Sequence, residues 1–171
     1  IKLSINLSGK SIEDSSLTKK IKRFISEYHV NPESIMFEVT ETAAIGNLQK
    51  ASKVLGKLQN LGCKTALDDF GIGYSSFAYL KDLPIDVVKI DGSFVKDSAT
   101  DTLHYAMVRS INDIAHEMKK KTVAEFVEDE SVLAVLKELG VDYGQGYYLG
   151  KPEVISEFMP GDNNSKSQKI A

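Results

Sequence analysis

Apolar residues in this chain change period repeatedly, from two to about 3.6 and back. That alternation predicts an α/β fold built on a parallel sheet. "KLSINLS" (2–8) places Leu3, Ile5 and Leu7 on one face and Ser4, Asn6 and Ser8 on the other. Leu17, Ile21, Phe24 and Tyr28 then recur at helical spacing, and "SIMFEV" (34–39) has the composition of a strand. A helix stripe runs from Leu48 through Ala51, Leu55 and Leu58 to Leu61, with Gly62 placed to stop it. "KTALDDF" (64–70) is the next strand, followed by a short helix over 75–82 and, after Pro84, by "IDVVKID" (85–91). Leu103, Met107, Ile111, Ile114 and Met118 mark a longer helix, whose lysine run 119–121 suits a helix C-terminus. "TVAEFV" (122–127), a helix over 129–139 closed by Gly140, and "VDYGQGYYL" (141–149) complete six strand-then-helix units. There is weak internal repetition: "LQNLGCKTALDD" and "LKELGVDYGQG" both end a helix at Leu-Gly before a strand.

The bulk properties narrow the partners. The 171 residues make one domain's worth of chain with room for a core, at 42% hydrophobic and 26% charged. A net charge of -3 argues against a surface for polymeric nucleic acid or for acidic lipid, so no membrane contact is expected of this domain. Cys63 is the lone cysteine, which fits a reducing, cytoplasmic compartment. No apolar run approaches the roughly 18 residues of a membrane span. The chain opens at Ile1 inside a strand-like segment, and the expectation is a fragment of a longer protein. Residues 1–160 are expected to form the folded domain and 161–171, polar and core-free, a disordered tail.

Two architectures fit this order, a doubly wound open sheet and a TIM-type (β/α) barrel. Asn6, Glu38, Asp68, Lys89, Glu125 and Gln145 each fall near the C-terminal end of a different predicted strand. A barrel gathers such ends into one ring, where barrel enzymes place their sites, whereas an open sheet spreads them along a line. The barrel is therefore preferred. It is incomplete as given: about six of the eight strands that such a barrel requires.

The chemistry concentrates at Asp68-Asp69. Adjacent strand residues face opposite sides, so the two carboxylates converge only where the pleat breaks. Held together they repel unless a cation lies between them, and hard cations take oxygen ligands. With Asn6, Glu38 and Glu125 they compose an all-oxygen set suited to Mg²⁺ or Mn²⁺, and two ions about 3.5–4 Å apart become plausible, as in phosphate-ester hydrolysis. The plain alternative is a turn residue at Asp69 and a helix cap at Asp68. Lys89, in the middle of "DVVKID", points by alternation into the strand-end mouth. It either orients an attacking water or forms a structural ion pair with Asp91 or a neighbouring carboxylate. Glu125 and Glu128 are a general base with its support, or caps for the following helix. His29, His104 and His116 lie on predicted helices or a helix end and are assigned to surface or packing, and "GIG" (71–73) has no phosphate-loop pattern around it.

"INLSG", "FEVTET", "LDDFGIGYSSFAYL", "VVKIDGSFV", "VAEFVED" and "YGQGYYLGKP" stand in the order and spacing of the EAL domain, which the chain resembles from Ile1 to about Pro152. The resemblance implies a modified TIM barrel and a metal-dependent phosphodiesterase that opens cyclic-di-GMP to linear pGpG. It implies that Asn6, Glu38, Asp68, Asp69 and Glu125 are metal ligands or lie at the metal's edge, with Lys89 at the nucleophilic water and Asp91 in the same inner shell. Glu41 would anchor the loop that begins at Asp69, with Glu128 and Gln145 supporting the site. That loop, 70–79, would couple metal binding to homodimerisation. The parent would carry an upstream sensory or GGDEF-type domain.

Two departures accompany the resemblance. The Glu-Ala-Leu strand that names the family precedes the Asn-Leu-Ser strand and is absent from this sequence, and with it a metal ligand. The usual Ala-Glu-Gly-Val-Glu here reads Ala-Glu-Phe-Val-Glu, so Phe126 stands where glycine would allow close backbone approach. Alternation points Phe126 toward the outer helices. The competing expectation is a catalytically silent module that binds the dinucleotide or regulates a neighbour.

Overall fold

The computed structural model describes residues 2–72 and 77–154. The predicted tail at 161–171 lies outside them, as do residues 73–76 of the loop after the aspartate pair. Two compact units divide the chain, Ile1–Val88 and Lys89–Ala171.

The first unit contains β1 (Leu3–Leu7), α1 (Gly9–Glu13), α2 (Leu17–Glu27), a 3₁₀ turn at Pro32–Ser34, β2 (Ile35–Thr40), α3 (Glu41–Gly46), α4 (Leu48–Asn60), β3 (Lys64–Phe70) and α5 (Phe77–Leu80). It ends within β4 (Val87–Ile90). β1 and β2 pair in parallel from Leu3↔Ile35 to Leu7↔Val39, and β2 pairs with β3 from Met36↔Lys64 to Thr40↔Asp68. β2 is buried along nearly its whole length, as a parallel strand covered on both faces should be. α4 packs Ala51, Val54, Leu55 and Leu58 inward. The α2 stripe behaves otherwise: no residue of that helix is buried, and Phe24 and Tyr28 are exposed with their rings 6.3 Å apart. Leu3 and Ile5 of the edge strand β1 are also exposed, and only Leu7 of that face is buried.

The second unit contains the end of β4, α6 (Gly92–Val95), α7 (Thr102–Glu117), β5 (Lys121–Ala124), α8 (Glu130–Glu138) and β6 (Tyr143–Gly144). β5 and β6 are parallel, with Val123 opposite Tyr143 and Ala124 opposite Gly144. The predicted long sixth strand contracts to two residues, because the chain turns soon after it, with the Leu149 and Gly150 N–H groups donating back to the Gly146 carbonyl. α7 buries Val108, Ile111, Asn112 and Ala115, one row round from the expected stripe, which leaves Leu103 exposed.

Each unit repeats one device at the start of its strands. α4 and α8 both end at Leu-Gly with the glycine left-handed, Gly62 at φ 93° and Gly140 at φ 71°, which returns the chain toward the sheet. Separately, a Lys-Thr pair opens β3 and β5, and in each case an aspartate just ahead of the next strand clamps it. Asp86 accepts from the Thr65 N–H at 3.0 Å, from Gln59 Nε2 at 3.1 Å and from Lys64. Asp142 accepts from the Thr122 N–H at 3.0 Å and from Lys121, and stands 2.8 Å from His116 Nε2. Behind it Asn112 takes a hydrogen bond from the Thr122 hydroxyl and donates to the Leu139 carbonyl. These aspartates join neighbouring strand starts through side chains, independently of the ladder.

Burial raises the Asp142 carboxyl's pKa, but the Lys121, Thr122 and His116 contacts outweigh it and the net direction is down. A depressed native pKa contributes stability above the unfolded value, near 3.9, which is lost as pH falls through the native value. Asp142→Asn is expected to lower unfolding free energy by about 2 kcal/mol at neutral pH, most of it from the Thr122 contact since Lys121 is solvent-exposed. Denaturant titrations of both forms from pH 7 downward check this. The gap should close below about pH 4.

Candidate active site

In the first unit, the parallel registers bring oxygen donors onto one face. Asn6 lies opposite Glu38, and Glu38 opposite Ala66, so Asp68 is one pleat repeat further along β3 on the same face. Glu38 is buried, whereas Asn6 on the edge strand is exposed. Alternation would turn Asp69 away from Asp68. It fails here because Asp69 is left-handed, at φ 56°, within the last turn of the strand. One carboxylate oxygen of Asp68 consequently lies within 4.8 Å of one of Asp69, and both residues are half-buried. Aspartate tolerates this backbone better than most side chains. The break anticipated between the aspartates is thus a single left-handed residue. Two half-buried carboxylates so close form a hard-oxygen pair of the kind that holds a divalent cation.

Glu41 opens α3 directly after β2 and is 2% exposed. Its carboxylate accepts from the Gly71 N–H at 3.1 Å and from the Tyr79 hydroxyl. Burial, with the Glu41 charge adding to it, pushes the Tyr79 hydroxyl's pKa far up, so the phenol stays protonated and remains a donor. One buried carboxylate therefore holds both ends of the segment that follows the aspartate pair.

In the second unit, Lys89 occupies β4, all of whose residues are buried. Its ammonium lies 2.8 Å from Glu125 Oε1, with side-chain exposures of 6% and 12%. Removing either partner of such a pair strands a buried charge, at a cost of about 3–5 kcal/mol. The Glu125 N–H donates to the Ile90 carbonyl at 3.2 Å, which sets the glutamate beside the lysine's strand. Asp91, just past the strand end, caps α6 by accepting from the Ser93 N–H at 2.8 Å. Glu128 is exposed, and Asp129 is the residue that caps α8. The Gln145 side chain is exposed, while its backbone accepts from the Val127 N–H and donates to the Ala124 carbonyl.

Phe126 departs from expectation. β5 ends at Ala124, so strand alternation no longer applies two residues later. Phe126 is left-handed, at φ 55°, and 57% exposed rather than turned to the outer helices. For a bulky side chain this conformation costs about 1–2 kcal/mol. Sequence reasoning also passed over Tyr79 and Gly92, the residues that face Glu41 and Phe126. The signal for Gly92 was available in the glycine that directly follows the strand-end Asp91.

A family model described as the EAL domain matches residues 1–152. Cyclic di-GMP phosphodiesterase PdeB of Shewanella oneidensis is 41% identical over 156 residues, covering 91% of this chain and 18% of that protein. Cyclic di-GMP phosphodiesterase PdeF of Escherichia coli is 40% identical over 154 residues, covering 90% of this chain and 21% of that protein. This chain thus spans about a fifth of the length of these curated relatives. Among solved structures, the FimX EAL domain from Pseudomonas aeruginosa bound to c-di-GMP matches with a TM-score of 0.85 at 34% identity, covering 89% of this chain and 62% of that one. The architecture is accordingly the EAL domain's TIM-like barrel, to which the described residues contribute six strands. With its model matched along nearly the whole described sequence, the chain belongs to the EAL domain family.

Proposed function

We propose that the protein from which this chain comes hydrolyses one phosphodiester of cyclic-di-GMP to linear pGpG, and that Lys89 and Glu125 handle the attacking water. The observation that carries this is the buried Lys89–Glu125 pair, a charge pair that packing alone does not require at a strand end. The Lys89 ammonium donates to the water oxygen and orients its lone pair. The Glu125 carboxylate receives the water's proton as the new O–P bond forms. The P–O3′ bond then breaks in line, the leaving 3′ oxygen takes a proton from solvent to become a hydroxyl, and Glu125 returns the proton it received to solvent. We assign Asn6, Glu38, Asp68, Asp69 and Glu125 to the hold on divalent ions, two in number, with Asp91, Glu128 and Gln145 supporting. When bound, Mg²⁺ or Mn²⁺ supplies charge neutralisation at the phosphate and a lower pKa for water.

The wider arrangement is part of the same reading. A homodimer forms through the 70–79 region, whose ends Glu41 holds, and an upstream sensory or GGDEF-type domain regulates a cytoplasmic enzyme. No helix of the described residues is long and apolar enough to cross a membrane. A second reading, dinucleotide binding without turnover, draws on the strained backbone of Phe126 beside Glu125.

Cyclic-di-GMP turnover by the full-length protein with Mg²⁺ or Mn²⁺, followed by chromatography of the product, tests the reading. Lys89→Ala is expected to cut kcat by about 100-fold or more. Dinucleotide binding with no pGpG formed by the wild type would favour the second reading. Glu41→Gln keeps the shape but turns an amide NH₂ toward one of its two donors. The Mn²⁺ concentration for half-maximal activity should then rise about tenfold. An unchanged metal titration would remove Glu41 from the site's support.

A further inference from the structure

Phe126 is held in its unfavourable backbone by two glycines. An ideal Cβ placed on Gly92 would stand 2.0 Å from Phe126 Cδ2 and 2.5 Å from Cγ, so the phenyl ring rests directly on the glycine's Cα. No larger residue fits beneath it. On the other side, a Cβ at Gly146 would stand 2.2 Å from the Val127 nitrogen and 2.3 Å from its oxygen. Val127 is fully buried there, donating to the Gln145 carbonyl and accepting from the Tyr148 N–H. Contacts between the β4 end and the β5 end thus follow in order: Lys89 on Glu125, the Ile90 carbonyl on the Glu125 N–H, and Gly92 under Phe126.

We propose that Gly92 and Phe126 form an interlock that positions the Glu125 carboxylate against Lys89, making Phe126 a positioning residue for hydrolysis. The proposal rests on the phosphodiesterase reading above. A left-handed residue directly after Glu125 sets the direction in which the chain leaves the strand, and through it the aim of the preceding side chain. The ring, more than half exposed, is not held by burial in the core. Its contact with Gly92 supplies the restraint. Gly92 also follows Asp91, the cap of α6, so the interlock ties the two loop starts that carry Asp91 and Glu125.

The test is a double-mutant cycle in the full-length protein with Gly92→Ala, Phe126→Gly and the pair together, plus Phe126→Tyr. Readouts are kcat and KM for cyclic-di-GMP, Mn²⁺ affinity by calorimetry, and thermal unfolding. Gly92→Ala is expected to lower kcat by about tenfold or more with little change in KM, since a misplaced base affects the chemical step first. In the double variant the alanine has nothing to strike. Its kcat should lie within about threefold of Phe126→Gly alone, a clear failure of additivity. Phe126→Tyr should recover most of what Phe126→Gly loses. The proposal is overturned if the two effects multiply, if Gly92→Ala behaves as wild type, or if Phe126→Gly raises KM alone, which would make the ring a substrate contact. If Gly92→Ala does not fold, recovery of folding in the double variant supports the interlock and continued unfolding sinks it. If the wild type shows no turnover, the phosphodiesterase reading fails by itself. The interlock is then decided by whether unfolding temperature and Mn²⁺ affinity are non-additive across the same cycle.

Discussion

A charged lysine buried in a strand must have a carboxylate within reach, and the second unit is arranged around that requirement. Lys89 lies in a strand whose residues are all buried, and its ammonium pairs with Glu125 at 2.8 Å. Glu125 in turn comes from a strand that has already ended, and nothing in a regular ladder would hold its side chain in place. The backbone therefore takes on the task. A left-handed residue follows immediately, a buried valine comes next, and two glycines give up their side-chain space to accommodate them. Strain at one residue is offset by the pairing of two buried charges, which is the usual circumstance in which such strain persists.

The first unit solves a related problem with the opposite charge. Asp68 and Asp69 would diverge along a regular strand, and the left-handed Asp69 brings them together. Each unit thus has a non-glycine residue at positive φ where a strand gives way to a loop, one of them an aspartate and the other a residue beside a glutamate. At the opposite ends of the strands, both units use an aspartate clamp on a Lys-Thr pair. The starts of the strands are stiffened by hydrogen bonds, and the ends carry strain and charge. Within each unit, hydrogen-bonded clamps and left-handed backbone beside carboxylates thus lie at opposite ends of the strands.

Much of this was legible in the sequence. All six strand segments are marked by composition and period, although the last is far shorter than expected, and "KTALDDF" announces both a strand and its broken end. Lys89 was conspicuous as a lone cation in an apolar run, and its pairing with a neighbouring carboxylate was one of the two alternatives raised for it. The short helices α1 and α3 leave no signal in the sequence because five or six residues carry no periodicity. The stripe in α2 was real as a pattern, yet periodicity reports only that apolar residues share a face, not that anything covers it. The same limit applies to Leu3 and Ile5.

Phe126 departs from expectation for a more instructive reason. Alternation is a rule about extended backbone, and the strand stops two residues before Phe126. The correcting information lay 34 positions away by sequence, in a glycine that gains meaning only when a ring is found above it. Pairwise fits of this kind leave no mark on period, composition or charge. A residue such as Gly92 is visible to sequence reasoning as a flexible position, whereas the structure shows it as a space. The same inversion holds at Gly146, where the missing side chain makes room for the Val127 backbone rather than for a turn. Glycines beside functional strand ends are thus better interrogated by what stands over them than by the angles they permit.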